Sequence, residues 1–273
     1  MHPAMITSFA NSTVKDIRKL EQKKYRQQSG TFFIEGLRTV GEAVQTGAPI
    51  QALVTAPDLL ISEFGLSLLD APNLKGVERI EVSAEIYEKL AHKEGPQGIG
   101  AIVHQSWQDL AGVQAAPDDL WVALDAVADP GNLGTIMRTA DSVGARGILL
   151  LGNATDPYDP AAVKASMGAI FSLQLANTTW PTLKAWQQSQ QALLVGTSDH
   201  GATDYQQIRY QRPLVLLMGS ERHGLSKEMI AGCDHLARIP MAGRSDSLNL
   251  AVATAVMLYE IYNQSRNPVR IEP

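Results

Sequence analysis

Five short, fully apolar runs constrain the fold of this chain more than any other feature: Leu120–Asp125, Gly147–Leu151, Ala192–Thr197, Pro213–Met218 and Leu236–Ile239. A strand that alternates apolar and polar residues keeps one face in water, whereas an unbroken apolar run must be covered on both faces. Between the runs lie helical spacings, over Gly134–Val143, Pro160–Phe171, Pro181–Gln190, Lys227–Ala231 and Leu248–Tyr262. Such strand–helix–strand repetition predicts an α/β fold on an open parallel sheet with helices on both sides. Ligands of such sheets bind beyond the carboxyl ends of the strands. The segments that follow the runs are therefore where chemistry is to be sought.

A smaller α/β unit precedes this block. Thr31–Glu35 and Ile50–Thr55 read as strands around a helix over Gly36–Gly47, and Arg79–Val82 and Gly98–His104 add two more, with a helix over Ser83–Ala91 begun by Ser83. Gln105–Asp119, with Gly, Pro and several acids, suits a linker. At about 150 residues per domain, 273 residues suggest roughly two domains. The expected division is a basic segment at 1–30, a small domain at 31–105, a linker at 106–119, the larger domain at 120–264 and a tail at 265–273.

Several classes are excluded. With 45% hydrophobic and 19% charged residues, the chain is neither disordered, collagen-like nor a coiled coil. Its single cysteine, Cys233, supports neither a disulfide framework nor a multi-thiolate zinc site. No secretory leader and no run near the roughly 18 apolar residues of a membrane helix is present, so a soluble cytoplasmic protein is expected. G-x-G-x-x-G, Walker A, H-E-x-x-H and the nucleophile elbow are absent, and no metal is expected. The net charge is −5, yet Asn11–Gly30 carries +4, which leaves −9 elsewhere. That segment reads either as a phosphate-contacting arm or as a solvated helix face. Lys15, Lys19, Lys23, Lys24, Arg26 and, further on, Arg38 are its candidate nucleic-acid contacts.

The tails beyond the strands carry a resemblance. DPGNLGTIMRTADSVGA, LLMGSERHGLS and IPMAGRSDSLNLAVATAVMLYE resemble, in order and separation, the three motifs of the SpoU/TrmH RNA 2′-O-ribose methyltransferases of the SPOUT superfamily. The first block is similar to the ribosomal-protein-L30e-like substrate domain of rRNA-modifying members. The resemblance implies a trefoil-knotted sheet, S-adenosylmethionine bound by motifs two and three, a homodimer, and an RNA substrate, with 23S rRNA expected from the leading domain. A tRNA ribose methyltransferase, a base methyltransferase and a non-catalytic RNA-binding paralogue acting in ribosome assembly are the alternatives.

Carried over by position, Asn132, Arg138, Glu221, Ser247 and Asn249 are the catalytic candidates, and Thr197, Gly219, Gly224, Ile239, Met241 and Leu248 the cofactor-binding ones. Asn132 and Gly134 open a helix in this reading, and Arg138, one turn past Gly134, is expected to lean back toward its phosphate-attracting start. A guanidinium is a poor base, so stabilising a developing alkoxide or holding the adjacent phosphate is the easier task. Gly219 and Gly224 bracket Glu221 and would let backbone approach a ligand closely. Ser247 and Asn249 are favoured helix caps, which is the plain alternative for each, as core filling is for Met241. The expected division of labour gives chemistry to Arg138 and RNA docking to Lys15–Arg26 with the first domain.

Overall fold

A computed structural model describes residues 5–91, 95–199, 201 and 203–266. The chain forms two compact units, Met1–Gln105 with Asp156–Ser172, and Ser106–Thr155 with Leu173–Pro273.

In the first unit, β1 (Thr31–Glu35), β2 (Ile50–Thr55), β3 (Glu78–Glu81) and β4 (Ile99–His104) make a sheet of order β1-β4-β2-β3. β4 runs antiparallel to β1 and β2, and β3 parallel to β2. The basic segment is two short helices, Ser12–Lys19 and Lys23–Ser29. Asn11 caps the first by accepting from Thr13 N, and Gly30 ends the second in the left-handed region at φ 66°. Val14 and Ile17 are buried against Val54, Ile80 and Ile86, so helical periodicity turns the apolar stripe inward and the lysines out. A helix at Glu63–Leu69, capped by Ser62, was not anticipated, since seven residues are too few for a clear period.

The 156–172 segment packs in this first unit, although its sequence reads as one helix of the larger block. A helix over Pro160–Ser166 stops at Met167 (φ 53°) and Gly168 (φ 100°), and a short 3-10 turn follows at Ala169–Phe171. Tyr158 and Phe171 place their rings 4.7 and 6.2 Å from that of Phe32.

In the second unit, β5 (Leu120–Asp125), β6 (Gly147–Leu151), β7 (Gln174–Thr178), β8 (Leu193–Thr197), β9 (Thr203–Asp204), β10 (Leu214–Met218) and β11 (His235–Arg238) form one sheet of order β7-β6-β5-β10-β8-β11-β9. Every pairing is parallel. β6 and β10 are buried along their whole length, as unbroken apolar runs require. β7 and β9 had no apolar run to announce them, because they are the two edges of the sheet and carry polar residues such as Gln174, Asn177 and Asp204. β10 enters between β5 and β8, two strands laid down earlier in the chain. Residues 106–119 pack on this unit: Leu110 joins its core, and Trp186 Nε1 donates to the Val113 carbonyl at 2.8 Å. Among the described residues no helix is long and apolar enough to cross a membrane.

Candidate active site

The site is built where β5 and β10 end side by side. Beyond β5, Asp129 caps the helix Pro130–Ser142, its carboxylate accepting from Asn132 N at 2.7 Å, and Pro130 takes the first helical position. An Asp followed by Pro is a legible helix start, and it lies four residues before the one read at Gly134. Asn132 is therefore the third helical residue, and its side chain is not spent on capping.

Beyond β10 the chain makes a tight turn in which Ser220 and Gly224 exchange backbone hydrogen bonds at 3.0 and 3.2 Å. A Cβ on Gly219 would lie 2.3 Å from the Gly224 carbonyl carbon and 2.5 Å from Leu225 N, and Gly224 sits at φ 62°. The missing side chain of Gly219 thus makes room for the turn itself rather than for an approaching ligand. Gly219→Ala is expected to open the turn and abolish cofactor binding, read by calorimetry, while leaving the first unit's unfolding unchanged.

The turn presents Glu221. Its Oε1 accepts from Asn132 Nδ2 at 3.0 Å and its Oε2 from Ala128 N at 3.3 Å. Asn249 Nδ2 donates to Asn132 Oδ1 at 3.1 Å, while Asn249 Oδ1 accepts from Ala251 N at 2.9 Å and Val252 N at 3.3 Å. The polarity of this chain is determined at both ends. Backbone N–H groups demand the Asn249 oxygen, and a carboxylate demands the Asn132 amide nitrogen. Asn249 is both a cap and a site residue, and one hydrogen-bond chain links all three motifs. Asn249→Asp keeps the capping oxygen and removes the donor to Asn132. It is expected to leave thermal unfolding within about 0.5 kcal/mol and to cut turnover by about tenfold or more, the worth of one hydrogen bond of about 1.4 kcal/mol.

The other catalytic candidates do not join this chain. Arg138 is exposed, and its guanidinium has no hydrogen-bond partner among the described residues. Because the helix begins at Pro130, Arg138 lies in its third turn and about 120° around the axis from Asn132, so it does not lean over the helix start. Ser247 is exposed and bonds Asp246 Oδ1 at 3.2 Å.

Thr197, Gly219 and Ile239 lie at neighbouring strand ends, since β10, β8 and β11 are adjacent. Thr197 Oγ1 donates to Met218 Sδ at 3.5 Å. Ile239 follows β11, and Met241 and Leu248 remain 39% and 37% exposed. Burial raises the Asp125 carboxyl above the usual range at the root of the first turn. Burial also lifts the Cys233 thiol to about 11, which keeps it a poor nucleophile at neutral pH.

Of the docking candidates, Lys15, Lys19, Lys23, Lys24 and Arg38 are exposed. Lys19 pairs with Asp16 at 2.8 Å, and the Lys19 and Lys24 ammonium groups each stand 5.8 Å from the Tyr25 ring. Arg26 is corrected. It is 1% exposed, with Nε and Nη2 on Asp156 Oδ2 at 2.9 and 2.7 Å, and Nη1 on the Leu20 and Glu21 carbonyls at 2.9 and 2.8 Å. A guanidinium so enclosed cannot meet a phosphate.

A parallel sheet with β10 set between β5 and β8, and a polar chain across the turns beyond them, is the architecture of a SPOUT methyltransferase. The chain belongs to the SpoU rRNA Methylase family, whose model matches residues 119–259. Residues 11–101 match the MRM3-like substrate binding domain. The chain is 34% identical over 252 residues to a 23S rRNA (uridine(2479)-2′-O)-methyltransferase of Streptomyces viridochromogenes, covering 90% of this chain and 87% of that one. It is 28% identical to the 23S rRNA (guanosine(2553)-2′-O)-methyltransferase RlmP of Bacillus subtilis, covering 94% and 98%. The crystal structure of an AdoMet-bound rRNA methyltransferase from Sinorhizobium meliloti is similar at TM-score 0.87 and 38% identity, covering 96% and 98%.

Proposed function

We propose that this protein methylates a ribose 2′-hydroxyl of 23S rRNA, with S-adenosylmethionine as the methyl donor. The hydrogen-bond chain Glu221–Asn132–Asn249 carries the reading, because it draws the three family motifs into one polar site. When bound, S-adenosylmethionine supplies an electrophilic sulfonium methyl. The turns after β8, β10 and β11 would hold it through backbone groups of Thr197, Gly219 and Ile239 and the apolar faces of Met241 and Leu248. The chain must then orient the acceptor hydroxyl and ease the loss of its proton. Both Glu221 oxygens are already engaged by N–H donors, so Glu221 orders the site rather than accepting that proton. Arg138, exposed and unpaired, is suited to stabilising the developing alkoxide or the neighbouring phosphate. Ser247 would serve the substrate side or the dimer-mate's site from the motif-three loop. Lys15, Lys19, Lys23, Lys24 and Arg38 dock RNA, and Tyr25 between two lysines offers a stacking face.

Transfer of a tritiated methyl group to ribosomal RNA, followed by digestion to nucleosides, tests the reading. A 2′-O-methyl nucleoside is the expected product; label on a base, or no transfer, would overturn it.

A homodimer through the second unit belongs to the same proposal. Val252 and Tyr259 are 49% and 47% exposed along the Leu250–Arg266 helix, and their spacing of seven puts them on one face. Val252→Glu is expected to give a monomer by sedimentation at micromolar concentration, and an unchanged dimer would remove this face from the interface.

A further inference from the structure

The first unit contains a cavity of about 240 Å³ that the methyl-transfer site does not use. Phe33 and Ile34 of β1 line it, together with Val163 and Met167 from the 156–172 segment. Arg18, Arg38 and Lys164 also line it, from three different helices, and all three are exposed. Its polar lining offers both donors and acceptors. Gln97 Oε1 accepts from Leu37 N at 3.1 Å, which fixes the amide and leaves Nε2 to donate elsewhere, and Thr39 and Glu35 are also among the lining residues.

The wall is held in place at a cost. Met167 is a non-glycine residue in the left-handed region, a strain that persists where surrounding contacts over-determine it. Asp156 and Asp159, at the foot of the same segment, are tied to the buried Arg26 at 2.7 and 3.4 Å. The arginine expected to touch RNA instead holds the segment that completes this cavity.

We propose that the cavity receives one unstacked nucleotide of the RNA substrate, its base against Phe33 and the apolar lining and its flanking phosphates on Arg18, Arg38 and Lys164. The inference rests on the RNA reading above. The volume lies just below the roughly 300–1,000 Å³ of small-ligand pockets, which suits one base rather than a longer segment. A base needs apolar surface on its faces and mixed donors and acceptors at its edge, and single-stranded RNA is recognised by such splayed, individually housed bases. Three cations from separate helices outnumber the two lining carboxylates, Glu21 and Glu35, and suit a backbone that passes alongside, where phosphate contacts position the chain. Most of the lining falls within the residues that match a substrate-binding domain.

The test uses the full chain and labelled hexanucleotides of adenosine, cytidine, guanosine and uridine, with anisotropy at two salt concentrations. Thr39→Trp, which fills the cavity, and Lys164→Glu, an exposed change that leaves the core intact, are each expected to weaken the best-bound hexamer about tenfold or more. Lys164→Glu should also lower the salt slope by about 0.7, the share of one single-strand phosphate contact. Hexamer binding unchanged in both variants overturns the proposal. Methyl transfer by the unaltered protein is scored separately. Transfer to ribose together with unaffected hexamer binding in the variants defeats the cavity alone. Cavity-dependent hexamer binding without any transfer upholds the cavity and defeats the methyltransferase reading.

Discussion

Arg26→Ala is expected to destabilise the first unit by about 3–5 kcal/mol, the range for breaking a buried ion pair by removing one partner. The magnitude follows from what is left behind. Asp156 is 9% exposed in its side chain and would lose both guanidinium contacts, and the Leu20 and Glu21 carbonyls would lose theirs. Asp156 Oδ1 would still accept from Tyr158 N at 3.0 Å, so the segment would keep its local turn and lose its tie to the helices. Hydrogen exchange should show opening concentrated in 11–30 and 156–172, with β10 and its neighbours unaffected. Arg26→Met paired with Asp156→Leu should recover much of the loss, because an apolar pair leaves no charge stranded. Equal protection in Arg26→Ala and the unaltered protein would show that the pair contributes little.

Arg138→Ala should behave in the opposite way. The side chain is exposed and bonds no described residue, so unfolding should shift by no more than about 0.5 kcal/mol. Single-turnover methylation at saturating RNA should fall about a hundredfold or more, the usual effect of removing one donor aimed at developing charge. RNA affinity should fall only modestly. The contrasting set is Lys23→Ala with Lys24→Ala, which should weaken RNA binding and flatten its salt dependence while leaving turnover at saturation nearly intact. Loss of turnover in the lysine pair, with loss of affinity alone in Arg138→Ala, would mean that chemistry and docking have been assigned to the wrong regions.

The two arginines show where reading the chain reaches its limit. In the sequence Arg26 is one more cation in a run with Lys23 and Lys24, and nothing local separates it from them. Its two carboxylate partners are 130 and 133 residues away, while the Leu20 and Glu21 carbonyls lie six and five residues back, and only folding brings all four around it. The reverse holds for Asn249. Its capping role follows from its neighbours on the chain, but its bond to Asn132 spans 117 residues.

Secondary structure of the larger sheet was legible because burial on both faces leaves a mark that needs no partner to be read. Leu120–Asp125 and Gly147–Leu151 are strands over those same residues. The three motifs, likewise, carried the family and the identity of the polar residues without any coordinate. Three-dimensional contact alone decided the rest. The edge strands Gln174–Thr178 and Thr203–Asp204 lack the double burial that makes a strand visible. The helix Pro160–Ser166 sits in the first unit because Phe32 and Arg26 meet its flanks. The room that Gly219 makes is for Gly224, a contact set by the return of the turn upon itself. Local pattern and motif identity are properties of neighbours in the chain, whereas burial of a charge, closure of a turn and the meeting of three distant motifs are properties of which surfaces the fold brings together.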